Sequence, residues 1–484
     1  MQAEIIVSDS STDRTPETAH EEGAIVVEPD GKGYRYAYQQ LMTSTFESAP
    51  DVHSVEGEFG PITVVGLGYI GLPLAVAFDI ADQQVHGFDV DEGHIETLEN
   101  GVDPTGDLGD RAIESSEIAF TSDPVCIRDS EFVIVAVPTP VDDLENPNLT
   151  YVEAAGNTIG EHLQPGATAV LESTVYPGAT REILAQAIEE TSGLTVGEEF
   201  SVGYSPERMV PGDDEHGLRD VVKIVSGQDE ETLQRVATLY ETIVDTGVHR
   251  APKIAVAEAA KCIENIQRDL NIALVNELAI ACDNLGLNTH EVLDAAGTKW
   301  NFHDYEPGLV GGHCIPVDPF FMIYEAERNG FSPKLIETGR KVNEYMPEHV
   351  AEMTLRGLND CEKVLRDSTV LVLGLSYKPG VGDIRSSVVG STIEKLQSYG
   401  VDVAGYDPYA EDDAMREEFG IEIQSELSFQ DVDGVLLATP HESFLEIDYT
   451  DGAHRMADEP LVVDVVGKLN GRLAEHDAIT YERV

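Results

Sequence analysis

A chain of 484 residues with 30 basic and 90 acidic side chains, net charge −60 at pH 7, exceeds the ~250–300 residues at which single cores stop growing, so one compact domain is excluded. Apolar residues make up 42% and charged residues 25%, enough to bury ordinary cores, which places the acidic excess on folded surfaces rather than in disorder. That field repels nucleic acid and anionic lipid, and such a balance is expected of a halophilic protein, hydrated in concentrated salt. No apolar run reaches the ~18 residues of a membrane span, and the start Met1-Gln2-Ala3-Glu4 lacks the basic flank of a signal peptide. A cytoplasmic protein without nucleic-acid or membrane partners is expected. Cys126, Cys262, Cys282, Cys314 and Cys361 form no CxxC pair, so neither a disulfide framework nor a metal site is expected.

In chain order, residues 1–58 form an N-terminal extension. Glu4-Ile5-Ile6-Val7 runs into the acidic, Ser/Thr-rich Ser8–Pro16, with Gly31-Lys32-Gly33 beyond; over residues 1–45 this resembles a fragment of a family 2 glycosyltransferase. So short a piece cannot bury such a core, and a remnant is expected rather than a second activity. From Pro61 the pattern changes to a strand Ile62–Val65, the loop Gly66-Leu67-Gly68-Tyr69-Ile70-Gly71 and a helix Leu72–Ile80. A second strand, Val85–Phe88, ends in Asp89, 18 residues after the last glycine. A GxGxxG between strand and helix with an acid at that distance is the pattern of a dinucleotide site. Gly66 makes the turn, Gly68 admits the pyrophosphate and Gly71 permits close packing. Asp89 would accept from ribose hydroxyls and repel a 2′-phosphate, which favours NAD over NADP.

Strands at Phe132–Val137 and Thr168–Leu171 run into turns at Pro138-Thr139-Pro140 and Glu172-Ser173-Thr174. Thr139 and Thr174 are therefore cofactor contacts or ordinary turn residues. Lys253–Leu285 reads as one long helix, with Lys261, Asn265 and Arg268 on one face; Asn271 and Asn276 are polar positions that need partners. Gly308–Pro319 sets Cys314 after a glycine-rich stretch, with Asp318 four residues on. A strand Ser368–Leu375, a helix Ser386–Tyr399, a strand Val401–Tyr406 ending at Asp407 and a strand Val435–Pro440 repeat the first unit, but Tyr377-Lys378-Pro379 and the following residues to Arg385 stand where the glycine fingerprint would be. The fold class is α/β: two Rossmann-like domains joined by a long central helix, with a short N-terminal extension. The expected boundaries are 1–58, 59–250, 251–350 and 351–484.

Together with Val137-Pro138-Thr139-Pro140, Ser205-Pro206-Glu207-Arg208 and Gly311-Gly312-His313-Cys314, these motifs span about residues 60–475 and resemble the UDP-glucose/GDP-mannose dehydrogenase family. Lys261–Ala273 looks like the branch that oxidises UDP-N-acetylhexosamines; UDP-glucose enzymes typically lack an arginine at the place of Arg268. The resemblance implies oxidation of the sugar's C6 alcohol to a carboxylate with two NAD+, through a thiohemiacetal and a thioester on Cys314. It assigns Lys261 to the oxyanions, Asn265 and Asp318 to the water and oxyanion network, and Glu207 to base work on the thioester. Gly66, Gly68, Tyr69, Ile70, Gly71, Asp89, Thr139, Thr174 and Arg385 would hold NAD; Glu207, Arg208, Lys261, Asn265, Arg268, Gly311, Tyr377 and Lys378 would hold the UDP-sugar.

His94 stands where many relatives carry a basic residue, and the loop Trp300–Glu306 copies neither N-acetyl branch. N-acetylmannosamine is favoured as the sugar, with UDP-glucose as the alternative. A buried Arg268 meeting the acetamido carbonyl competes with one paired to Glu264 or Asp269. A homodimer or higher homo-oligomer is expected. A two-electron hydroxyacid dehydrogenase leaves Cys314 unexplained, and a non-catalytic nucleotide-binding protein leaves Lys261, Glu207 and Cys314 together unexplained.

Overall fold

The computed structural model describes residues 59–142, 144–209, 217–473, 476 and 478–484. The glycosyltransferase-like stretch of residues 1–45 lies outside them. The first sheet contains β1 (Ile62–Val65), β2 (Val85–Phe88), β3 (Ala119–Thr121), β4 (Phe132–Val135), β5 (Thr168–Leu171), β6 (Ser201–Tyr204), β7 (Lys223–Gly227) and β8 (Val248–Arg250), in the order β3-β2-β1-β4-β5-β6-β7-β8. All neighbours are parallel except β6 and β7. β1, β4 and β5 are buried along their whole length, as parallel strands covered on both faces must be, which is why they read as unbroken apolar runs.

The second sheet holds β9 (Thr369–Leu373), β10 (Asp402–Tyr406), β11 (Glu422–Ile423), β12 (Gly434–Leu437), β13 (Leu461–Asp464) and β14 (Thr480–Arg483), all parallel, in the order β11-β10-β9-β12-β13-β14. Its order repeats that of the first six strands of the first sheet. Both are Rossmann-like, with the switch point beside the first strand of each.

Six helices position the site: α1 (Gly71–Ile80), α2 (Glu230–Glu241), α3 (Ile254–Leu285), α4 (Asp318–Arg328), α5 (Lys334–Asp360) and α6 (Val389–Ser398). α3 has 32 residues, closed by Gly286 in the left-handed conformation, and so runs about 48 Å. Its buried face mixes apolar Cys262, Ile266, Val275 and Ala279 with polar Glu258, Asn265, Asp269 and Asn276, while Ile263, Leu274, Leu278 and Leu285 are exposed. α6 starts three residues later than the sequence suggests, because Ser386 sits at φ +57 and the chain before it forms a loop. Among the described residues no helix is long and apolar enough to cross a membrane.

Candidate active site

The glycine loop has the shape a dinucleotide requires. Gly66 sits at φ +90, and a Cβ on Gly71 would lie 1.8 Å from the Gly66 carbonyl oxygen, so α1 begins directly against the turn. A Cβ on Gly68 would meet nothing within 4 Å, which leaves its backbone open for the pyrophosphate to approach. Asp89 Oδ2 accepts from Leu67 N at 2.9 Å and Oδ1 from Asp91 N at 3.0 Å. Each oxygen keeps a lone pair and the side chain is half-buried, so ribose hydroxyls can still reach it. His94 Nε2 lies 2.9 Å from the Leu67 carbonyl oxygen, which ties the ring to this loop. Thr139 Oγ1 donates to the Thr174 carbonyl at 2.7 Å, and Ser173 Oγ donates to Val137 O at 2.5 Å. The turns after β4 and β5 are thus latched together at the carboxyl edge of the sheet, with Thr139 and Thr174 side by side. These features fit NAD.

Cys314 precedes α4 in a turn whose Cys314 carbonyl accepts from Asp318 N at 2.9 Å. The residue reaches solvent. Burial and the Asp318 carboxylate raise the thiol above its usual pKa, against the pull of Lys261, Arg268 and Lys378. Asp318 is itself buried, and burial pushes it up to about 6 against Lys261 and the hydrogen bond from Asn265. Asn265 Nδ2 donates to Asp318 Oδ2 at 2.5 Å. Cations from α3 and from the second sheet's loop thus converge on one accessible thiol, beside a carboxylate that titrates close to neutrality.

Arg268 is exposed, not buried as expected. It also lacks the carboxylate partners considered for it: Glu264 pairs with Arg208 at 2.8 Å and Asp269 with Arg340 at 2.5 Å. Among the described residues it forms no ion pair, and its charge works to lower the Cys314 pKa. Arg208, expected on the sugar nucleotide, pairs with Glu264 and donates to the Val222 carbonyl.

Glu207 differs from a free base. Its Oε2 accepts from Lys223 Nζ at 2.8 Å and its Oε1 from the amides of Arg208 and Met209 at 2.6 Å each. Burial would raise its pKa, but Lys223 and those amides bring it below the usual value. Lys223, fully buried, also donates to Glu172 Oε2 at 2.9 Å, and Tyr240 on α2 donates to the other Glu172 oxygen. Burial lifts Glu172 to about 7 despite Lys223. This cluster, at the carboxyl ends of β5 and β6, was not found from sequence; Lys223 opening the apolar run Lys223-Ile224-Val225 is the signal that marks it.

On the opposite wall, the loop Leu375–Val388 brings Tyr377 against the cysteine segment. The Tyr377 ring lies edge-on to His313, with centroids 6.4 Å apart, and Cβ atoms on Gly311 or Gly312 would meet its side chain at 3.3 and 2.8 Å. Lys378 Nζ stands 6.0 Å from the same ring. Arg385, paired with Asp383 at 3.0 Å, lies over Tyr69 of the glycine loop at 5.6 Å and so reaches the cofactor cleft from the second domain.

The NAD binding domain of the UDP-glucose/GDP-mannose dehydrogenase family matches residues 61–244, the family's central domain 255–345 and its UDP binding domain 371–470. The chain belongs to this family. It is an NAD-dependent dehydrogenase. It is 42% identical over 409 residues to Protein CapL of Staphylococcus aureus, covering 84% of this chain and 96% of that one. It is 42% identical over 384 residues to the UDP-N-acetyl-D-glucosamine 6-dehydrogenase of Pseudomonas aeruginosa, covering 79% and 91%. The solved UDP-D-ManNAc dehydrogenase of Pyrococcus horikoshii superposes with TM-score 0.79 at 28% identity, over 88% of this chain and 99% of that one.

Proposed function

We propose that this enzyme oxidises the C6 hydroxyl of a UDP-N-acetylhexosamine to the carboxylate in two NAD-linked steps, through a thioester on Cys314. The observation that carries the reading is one solvent-reaching thiol acted on by the charges of Lys261, Arg268 and Asp318, with Asp318 held by Asn265. Bound nicotinamide would supply the hydride acceptor for both oxidations. In the first, the alcohol loses a proton and a hydride to become the aldehyde, with Lys261 stabilising the alkoxide. Cys314 then adds through sulfur to the aldehyde carbon, giving a thiohemiacetal whose oxygen Lys261 faces. Loss of a second hydride and proton leaves the thioester, and water replaces sulfur at the acyl carbon to release the acid and restore the thiol. Asp318, titrating near 6 and held by Asn265, suits proton removal from the thiol or that water at neutral pH.

The role for Glu207 changes with its geometry. A carboxylate held by three donors and acidified by Lys223 is a weak base, so Glu207 is proposed to shape the Pro206–Met209 turn beside the sugar rather than to accept the proton. Relatives named for N-acetylglucosamine, at 42% and 40% identity, stand against 32–33% for those named for the manno form, which supports the gluco epimer over the manno. Arg268, without a carboxylate partner among the described residues, suits the acetamido carbonyl, although its exposure lets water replace that acceptor and limits the discrimination to a modest factor. Ile263, Leu274 and Leu278, exposed on α3, suit burial against a second copy of the chain, and the net charge of −60 suits a saline medium. In the deciding test, Cys314→Ala is expected to bind NAD normally and release no uronic acid from any UDP-sugar; acid release at the wild-type rate would refute the mechanism.

A further inference from the structure

The segment Gly308–Asp318, which carries Cys314, is held at both ends by one helix. At its far end Asn265 donates to Asp318 at 2.5 Å. At its near end Asn276 grips Gly308 twice: Nδ2 donates to the Gly308 carbonyl at 3.0 Å, and Gly308 N donates to Oδ1 at 2.8 Å. Asn265 and Asn276 are eleven residues apart on α3, about 16 Å of helix rise, whereas the ten residue steps from Gly308 to Asp318 would reach about 33 Å if extended. It must therefore bow, and its middle leans on the second domain, where Gly312 N donates to Ser386 O at 3.0 Å.

Asn276 is itself braced. Its Nδ2 also donates to Asn343 Oδ1 of α5 at 2.8 Å, and Asn343 Nδ2 donates to Asp269 Oδ1 at 2.8 Å and to the Asp269 carbonyl at 3.0 Å. Arg340 closes the chain on Asp269 at 2.5 Å. Asn276, Asn343, Asp269 and Arg340 are all buried between α3 and α5, where apolar side chains would pack without desolvating polar groups. What this network adds beyond adhesion is direction: it fixes one amide in one orientation, and that amide reads both polar groups of one backbone residue.

We propose that Asn276 is a positioning residue for the cysteine segment. Its paired bonds to Gly308 set the register of Gly311–Cys314 against Lys261 and Arg268 on the same helix, and against Tyr377 across the cleft. The inference rests on the reading of Cys314 as the nucleophile for its consequence in turnover. Its geometric content is read separately, from the chemical accessibility of that thiol.

The test compares Asn276→Ala with Val350→Ala, a cavity in the neighbouring apolar core that leaves Gly308 untouched. Four quantities are measured: KM for UDP-N-acetylhexosamine, Kd for NAD, thermal midpoint, and the rate at which iodoacetamide modifies Cys314, followed by mass spectrometry. Asn276→Ala is expected to raise KM at least tenfold, change the Cys314 modification rate at least threefold, and leave the NAD Kd within twofold. Val350→Ala is expected to lower the midpoint with KM and modification rate unchanged. A loss of midpoint in Asn276→Ala with wild-type KM and wild-type thiol modification would overturn the proposal. If Asn276→Ala does not fold, Asn343→Ala removes the brace and keeps both Gly308 bonds; two- to fivefold shifts in the same quantities are expected, and their absence overturns the proposal equally. Failure of the nucleophile reading would show elsewhere, as acid release by Cys314→Ala, and would leave these thiol rates intact.

Discussion

The two Rossmann-like domains begin with the same device and use it differently. In the first, Gly66 N donates to Phe88 O at 2.9 Å and Leu67 N to Asp89 Oδ2 at 2.9 Å; in the second, Gly374 N donates to Tyr406 O at 3.0 Å and Leu375 N to Asp407 Oδ2 at 2.9 Å. Gly66 and Gly374 have φ values of +90 and +83. After that the domains part. In the first, α1 starts at Gly71 and turns its N-terminus to the cleft, while Asp89 stays accessible. In the second, the helix waits until Val389, and Asp407 Oδ2 is also taken by Ser376 N at 3.0 Å, Ser376 Oγ at 2.7 Å and His441 Nε2 at 3.0 Å. Burial alone would raise the Asp407 pKa, but His441, Ser376 and the Tyr409 amide hold it at about 2. An acid kept open is left able to accept from a ribose; the same acid closed over becomes the anchor of a loop that carries Tyr377 and Lys378.

The first domain is most vulnerable at Gly71. A Cβ there meets backbone rather than a yielding side chain, so Gly71→Ala must push α1 off the turn. We expect NAD affinity to fall by a factor of about 100 or more, consistent with overpacking costs of about 1–3 kcal/mol added to lost phosphate contacts. Isothermal titration with NAD and with UDP separately should show the UDP site unaffected.

The opposite probe is Asp407→Asn. The folded-state pKa is depressed from 3.8 to about 2, so the ionised carboxylate stabilises the fold by about 2 kcal/mol above roughly pH 4, and that contribution is lost as pH falls through 2. Denaturant titrations should therefore place the variant below wild type at pH 7, with the gap closing at pH 2–3. UDP binding should weaken about tenfold and NAD binding should hold.

What the sequence disclosed follows the range over which the signals act. The glycine loop, Asp89, the repeat and α3 depend on residues close in the chain, and each was legible. The strand Lys223–Gly227 was not, because it pairs antiparallel to β6 and opens on a buried lysine whose partners, Glu172 and Glu207, lie 51 and 16 residues away. The need of Asn276 for a partner could be read from its surroundings, but its grip on Gly308, 32 residues on, could not. Helical spacing set Arg268 near Lys261 and Asn265, but its exposure depends on what packs across that face. Closure of Asp407 was hidden for the same reason, since His441 arrives from beyond β12.

The smallest expected effect lies between the two domains, at the thiol that both serve. The Asp318 carboxylate raises the Cys314 pKa and Lys261 lowers it, so their removal should act in opposite directions. Asp318→Asn should shift the pH dependence of Cys314 alkylation to lower pH, and Lys261→Met should shift it to higher pH, each by a fraction of a unit to about one unit. Shifts of the same sign would mean that the two groups do not share the thiol's field.

If one thiol links two oxidations, reduced cofactor must form in a fixed ratio to the sugar consumed. With limiting UDP-N-acetylglucosamine and excess NAD+, fluorescence should record two NADH per sugar consumed, together with one uronic acid. One NADH per sugar with free aldehyde accumulating, or none at all with any UDP-sugar, would contradict it.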